Sequence, residues 1–153
     1  MNPIYLDCNA TTPLDPEVRE VLIYYLTEEY GNEGSRTHSF GVHAKQAVQK
    51  ARDQIASVVS SRREDIIFTS GATESNNLAI IGLSEAGLKD SRKHIITSAI
   101  EHKAVLEPCR ALERHGFEIT VLPVTTGGFV DPESVRKALR PNTLLVSIMQ
   151  VNN

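Results

Sequence analysis

Ile66-Ile67-Phe68-Thr69-Ser70-Gly71-Ala72-Thr73-Glu74-Ser75-Asn76-Asn77 joins two kinds of chain. The apolar residues at its front read as a short buried strand. The run that follows, Leu78-Ala79-Ile80-Ile81-Gly82-Leu83, is too long and too rich in Ala and Leu to be a second one. A strand, a glycine turn, hydroxyls and a helix start present free backbone N–H groups to an anion. Gly71 permits a tight turn and a close approach, Thr73 can cap the helix and also bind an anion, and the helix dipole adds partial positive charge. An ordinary capped strand-to-helix turn carries the same residues, so the motif by itself leaves both readings open.

Working outward, strands are predicted at 66–69, 94–98, 118–123 and 143–151, with helices at 73–88, 102–115 and 132–139, the last opened by Asp131-Pro132-Glu133. Upstream, Asp15-Pro16-Glu17 is a helix start with a capping Asp and Pro at the first helical position, and Val18, Val21, Leu22, Tyr25 and Leu26 give that helix an apolar stripe. A polar loop over residues 31–41 follows, longer than a connection between two helices requires. A second helix is predicted over 42–59, with Ala44, Ala47, Val48, Ala51, Ile55 and Val59 as its buried stripe. Alternating strands and helices imply an α/β fold, a mostly parallel sheet with flanking helices. Ligands of such sheets sit beyond the carboxyl ends of the strands. Residues 71–73, 100–102 and 152–153 all fall at such ends, which groups them into one site.

Bulk properties narrow the function. A chain of 153 residues, 41% hydrophobic with a net charge of −3, fits a soluble globular domain and offers no basic excess for direct nucleic-acid contact. No apolar run approaches the roughly 20 residues of a membrane span, and the amino terminus lacks a signal-peptide pattern. Two cysteines, Cys8 and Cys109, do not make a disulfide framework, so the reading is a reducing, cytoplasmic setting. No metal-ligating set is read.

The string from Phe68 to Asn77 resembles the phosphate-binding turn of the NifS/IscS-like cysteine desulfurases, pyridoxal phosphate (PLP) enzymes of the class V aminotransferase group. The resemblance continues through Tyr5-Leu6-Asp7, Asn9-Ala10-Thr11-Thr12-Pro13, Gly31-Asn32, His38-Ser39-Phe40-Gly41, His94-Ile95-Ile96-Thr97-Ser98, Glu101-His102-Lys103-Ala104-Val105 and Val146-Ser147-Ile148-Met149-Gln150-Val151-Asn152-Asn153. Several strings in the right order along the whole chain are far more specific than any one motif. The fold implied is part of the large domain of a fold type I PLP-dependent transferase, with residues 1–153 as the amino-terminal part of the enzyme.

The resemblance assigns roles residue by residue. Ala72 and Thr73 match the positions whose backbone and hydroxyl hold the cofactor phosphate. His102 matches the histidine that stacks on the cofactor ring and relays protons, tasks suited to a flat group titrating near neutral pH. Asn153 matches the asparagine beside the cofactor's ring hydroxyl and the substrate carboxylate. Lys103 follows a histidine, as the family's cofactor-bearing lysine does, but that lysine lies in a later Ser-x-His-Lys segment. Neighbouring helix positions point about 100° apart, so Lys103 is expected to turn away from His102 and stay solvated. Neither cysteine matches the family's persulfide-forming residue: Cys109 reads as a small buried hydrophobe, and Cys8 borders a loop. Asn9, Thr11, Thr12, Asn32, Arg36 and His38 read chiefly as turn residues, with an approach to the site as the alternative.

The implied reaction converts L-cysteine to L-alanine and leaves sulfur on an enzyme cysteine as a persulfide. A sulfur-acceptor protein then receives it, for iron–sulfur cluster assembly, tRNA thiolation or DNA phosphorothioation. A homodimer is also implied. In the family the lysine, the carboxylate facing the pyridinium nitrogen and the nucleophilic cysteine all lie beyond the matched stretch. Leu144-Leu145-Val146-Ser147-Ile148-Met149 moreover reads as a strand buried on both faces, with little chain after it. A fragment that is inactive by itself is therefore expected. The alternatives are an inactive scaffold, a free-standing phosphate- or nucleotide-binding module, and selenocysteine lyase.

Overall fold

The structure, a computed structural model, describes residues 3–152. The chain forms two compact units, one over Thr11–Phe68 and the other from Thr69 onward together with the described residues up to Ala10. Among the described residues no helix is long and apolar enough to cross a membrane.

In the Thr11–Phe68 unit, α1 (Pro16–Thr27) starts where its motif predicts: the Asp15 carboxylate accepts the Glu17 amide at 2.9 Å and Pro16 takes the first turn. Its apolar stripe forms, yet no residue of α1 is buried. Val21, Tyr25 and Leu26 instead line an apolar cleft of about 610 Å³ with Ala47, Val48 and Phe68. The second helix, α2 (Ser39–Val58), begins three residues before the predicted start at 42. His38 is the reason: its backbone is extended, and its Nδ1 accepts the Gly41 amide at 3.3 Å, drawing Ser39-Phe40-Gly41 into the first turn. Gly41 cannot be larger, because a Cβ there would lie 2.3 Å from the Ser35 carbonyl oxygen. Ala44 and Ala56 are buried, whereas Ile55 and Val59, predicted on the same stripe, are exposed. The last turns of α2 face the 3-10 turn Arg63–Asp65, which Asp53 holds through a paired hydrogen bond with Arg63 at 2.6 Å.

The predicted strand at 66–69 is absent. Among the described residues it joins no ladder, and Ile67 is 65% exposed. The Arg52 guanidinium takes the place of a neighbouring strand, donating to the Ile66 carbonyl and lying 4.8 Å from the Phe68 ring centroid.

The second unit follows the predicted alternation: α3 (Ala72–Lys89), β1 (His94–Ser98), α4 (Lys103–Glu113), β2 (Glu118–Leu122), α5 (Pro132–Ala138) and β3 (Thr143–Ser147). The sheet is wholly parallel, in the order β2-β1-β3, so β1 is central and all five of its residues are buried. Ile95 meets Ile80 of α3 and Val105, Cys109 and Leu112 of α4 in the core, closed by Phe117. α4 supplies that face because its apolar residues recur at i, i+1, i+4 and i+5 while Lys103, Glu107 and Arg110 point to water. The β1–β3 ladder carries a bulge: His94 pairs with Thr143 but Ile95 pairs with Leu145. Leu144 and Leu145 consequently both pack on the core. Gly87 of α3 lets this happen, since a Cβ there would lie 2.7 Å from Leu144 Cδ2. Against the prediction, β3 ends at Ser147 and is half-exposed. Its partner β1 stops at Ser98, and among the described residues no strand pairs with the outer edge of β3.

His94 ties the three strands together. It is fully buried, with Nδ1 2.9 Å from Thr143 Oγ1 and Nε2 2.8 Å from Thr120 Oγ1. Thr143 Oγ1 also accepts the Arg140 amide, leaving its proton for Nδ1 and the ring N–H for Thr120. Each polar atom is satisfied with the ring neutral. Burial first, and the Arg140 guanidinium second, hold the imidazole below its ordinary 6.5, with the Glu118 carboxylate opposing.

Two predictions follow from the core. His94 is held neutral, so its contribution to stability is complete above its ordinary value of 6.5 and is lost as pH falls below it. The urea midpoint should drop from about pH 7.5 to about pH 5.5, before carboxylates with lowered values, such as Glu74, lose their contribution. His94→Gln should be less stable but flat over that range, and an equally steep fall in the variant would sink the assignment. Cys109 is 1% exposed and burial pushes its thiol up to about 11, whereas Cys8 is exposed. At about pH 8 iodoacetamide should label Cys8 in the folded protein and Cys109 only on unfolding, as peptide mapping by mass spectrometry would show.

Candidate functional site

The sequence predicts an anion site at the start of α3, and the structure builds this turn differently in detail. Gly71 is the cap residue, in extended conformation, and no side chain caps the helix. Thr73, predicted as a possible cap, lies inside the first turn. Glu74, not Thr73, fastens the turn: its Oε2 accepts both the Ser70 amide and the Ser70 hydroxyl at 2.7 Å, which holds the carboxyl below its ordinary range. Ser75 Oγ meets Thr69 Oγ1 at 2.7 Å, and the Asn77 amide donates to the Thr73 carbonyl. With these groups occupied, the amides of Ala72, Thr73 and Glu74 and the hydroxyl of Thr73 make no hydrogen bond among the described residues. A Cβ on Gly71 would meet nothing within 4 Å, so the turn opens onto free space. Exposed amide donors, a hydroxyl and the positive end of an 18-residue helix form a donor set that fits a phosphate.

His102 is the cap of α4. Its backbone is extended, and Nδ1 accepts the Ala104 amide at 3.1 Å. In the neutral ring this leaves the proton on Nε2, and the residue is exposed. Thr73, Asn77 and Ile81 of α3 face His102, Lys103, Ala104 and Glu107 across a groove of about 500 Å³. The structure thereby brings Thr73 and His102 together, two residues 29 positions apart in the chain. Lys103 lines the same groove and does not turn away as predicted. The 100° offset holds only between helical neighbours, and His102, being the extended cap, is not one. Lys103 is nonetheless exposed, as expected.

Asn153 lies outside the described residues. Its neighbour Asn152 donates from Nδ2 to the Ile100 carbonyl at 2.9 Å. Glu101, given no role by sequence reasoning, is buried beside this contact, its Oε1 accepting Ser98 Oγ at 2.9 Å and the Met149 amide at 2.6 Å. A carboxylate three residues past the end of a buried strand was the signal available for it. Residues 100–102 and 152 therefore meet beyond the ends of adjacent strands, as predicted. The turn at 71–73 follows an unpaired segment and not a strand end. Among the loop residues, Asn32 accepts the Gly34 amide at 2.8 Å and His38 caps α2, so both serve turn structure.

Comparison with known proteins agrees with this architecture. Residues 4–153 match the family model described as aminotransferase class-V. The cysteine desulfurase IscS of Psychromonas ingrahamii is 54% identical over 153 residues, covering 99% of this chain and 38% of that protein. Among solved structures, a NifS-like protein superposes with a TM-score of 0.90 at 40% identity, over 97% of this chain and 40% of its own. SspA in complex with cysteine does so with a TM-score of 0.88 at 39% identity, over 97% and 42%. The chain thus spans about two-fifths of the length of these relatives. A mixed α/β fold with a parallel sheet, a family match along nearly the whole chain and relatives named as cysteine desulfurases agree: the chain belongs to the class V aminotransferase family of enzymes.

Proposed function

We propose that this chain is the part of a cysteine desulfurase that holds the phosphate and ring of pyridoxal phosphate. The observation that carries the reading is the shared groove: Thr73, whose amide and hydroxyl are unbonded among the described residues, on one wall, and the capping imidazole of His102 on the other. In this reading the Ala72 and Thr73 amides and the Thr73 hydroxyl hold the phosphate, His102 meets the ring, and Asn153 takes the part of the family's asparagine beside the ring hydroxyl. Pyridoxal phosphate supplies an electron-withdrawing ring that loosens the bonds at the α-carbon of an amino acid. His102 keeps Nδ1 for the Ala104 amide and offers Nε2 to move protons.

L-cysteine is the proposed substrate, supported by the relative solved with cysteine. Sulfur leaves as a persulfide on a cysteine that this stretch does not contain, because Cys109 is buried and Cys8 lies outside the groove. A sulfur-acceptor protein, a homodimer and a cytoplasmic setting complete the reading, and these 153 residues by themselves are inactive in it.

Removing a hydroxyl that binds a phosphate costs about 10- to 100-fold in affinity. Thr73→Val should weaken pyridoxal phosphate by that factor in equilibrium dialysis and leave pyridoxal, which lacks the phosphate, unchanged. If both ligands weaken equally, Thr73 does not hold the phosphate. Uptake of ADP with none of pyridoxal phosphate would favour a nucleotide-binding module.

A further inference from the structure

We propose that Glu101 is a positioning residue, a clamp that sets the spacing between the His102 loop and the 148–152 segment. The inference rests on the function proposed above. The β1–β3 ladder ends at Thr97 and Ser147, and beyond it two loops leave neighbouring strand ends with no main-chain pairing between them. One carries His102 and the other runs to Asn152. Two side chains replace the missing ladder. Glu101 Oε1 takes the Met149 amide at 2.6 Å, and Asn152 Nδ2 gives a hydrogen bond to the Ile100 carbonyl at 2.9 Å. Ser98, the last residue of β1, fixes the clamp from below by donating to the same Oε1 at 2.9 Å.

Glu101 is 8% exposed, and among the described residues no cation pairs with it. Its charge rests on two hydrogen-bond donors. If the loops move apart the buried carboxylate loses its Met149 bond and keeps only Ser98, so it resists small displacements more steeply than apolar packing does. Glu101 is also joined in sequence to the residue it positions. A shift of Met149 relative to Glu101 is a shift of the 148–152 segment relative to the His102 backbone. Positioning errors near 1 Å cost about 100-fold in catalysis, which gives the clamp its functional weight.

Glu101→Gln retains a carbonyl oxygen that can accept both donors, and Glu101→Ala retains none. Two readouts separate the clamp from general stability. In Glu101→Ala, exchange of the Met149 amide hydrogen should speed up at least ~10-fold, because its acceptor is gone. The visible circular dichroism band of added pyridoxal phosphate should shrink by half or more, with its affinity changed less than ~2-fold because the phosphate site at Thr73 is intact. Glu101→Gln should restore both readouts. Should Glu101→Ala fail to fold, Ser98→Ala removes one donor only and should shift the same readouts partway. Unchanged exchange and dichroism in Glu101→Ala, in a protein that binds pyridoxal phosphate normally, would overturn the clamp alone, as would equal impairment of the Ala and Gln variants. A wild-type protein that takes up no pyridoxal phosphate would overturn the proposed function, and the positioning role with it. Fast Met149 exchange in that same protein after Glu101→Ala would still mark the hydrogen bond as real.

Discussion

The sheet of the second unit depends on β1 being closed to water on every side. A strand buried on both faces, with a neighbour along each edge, must satisfy its polar groups from those neighbours, and here the sequence places polar residues within it: His94, Thr97 and Ser98. His94 finds a hydroxyl on each flanking strand, and Ser98 finds the Glu101 carboxylate. Of the three, only Thr97 leaves its hydroxyl oxygen buried without a partner among the described residues. The polar bonds make register specific. A slip of β2 or β3 by one residue would strand the imidazole between side chains that cannot answer it, at a cost that apolar packing alone would not impose.

Legibility in the sequence tracked how local the determining interaction is. The Asp15-Pro16 and Asp131-Pro132 starts act within one turn, and both open helices at the expected residue. The strand–helix alternation from residue 94 onward was equally readable, since each element carries its own period. The segment at 66–69 was not, because its composition is that of a strand while its backbone partner is a side chain of α2, far off in sequence. The early start of α2 escaped because histidine is a less familiar cap than Asp or Ser. For the site, Thr73 and His102 could be named from the motif, but their shared groove needed the packing of α3 against α4. Glu101 needed the register of β3 against β1, which no local pattern encodes.

Capping and the proposed chemistry are divided differently at the two helix starts. At α4 the imidazole satisfies the Ala104 amide through Nδ1, so the structural bond selects the tautomer that the proposed function would use. At α3 the division is the reverse. Glu74 and Ser70 fasten the turn to each other, and the amides a capping side chain would have consumed are left open. One histidine serves both purposes by using its two nitrogens separately. The α3 start separates them onto different residues. α1, whose apolar stripe forms without a single buried residue, belongs to a chain that spans about two-fifths of its relatives' length.

The bulge at Leu144 works as a parity switch. A strand alternates its side chains between two faces, so one extra residue reverses the assignment of everything downstream relative to the neighbouring strand. Whatever β3 leads into has its facing set by this single odd count, including the Met149 amide that meets Glu101 and the Asn152 side chain that meets Ile100. Substitutions at Leu144 and Leu145 are therefore matters of packing, open to compromise. A one-residue insertion or deletion there would be of another kind, leaving the downstream residue types as they are while turning the wrong half of them toward Ile100 and Glu101.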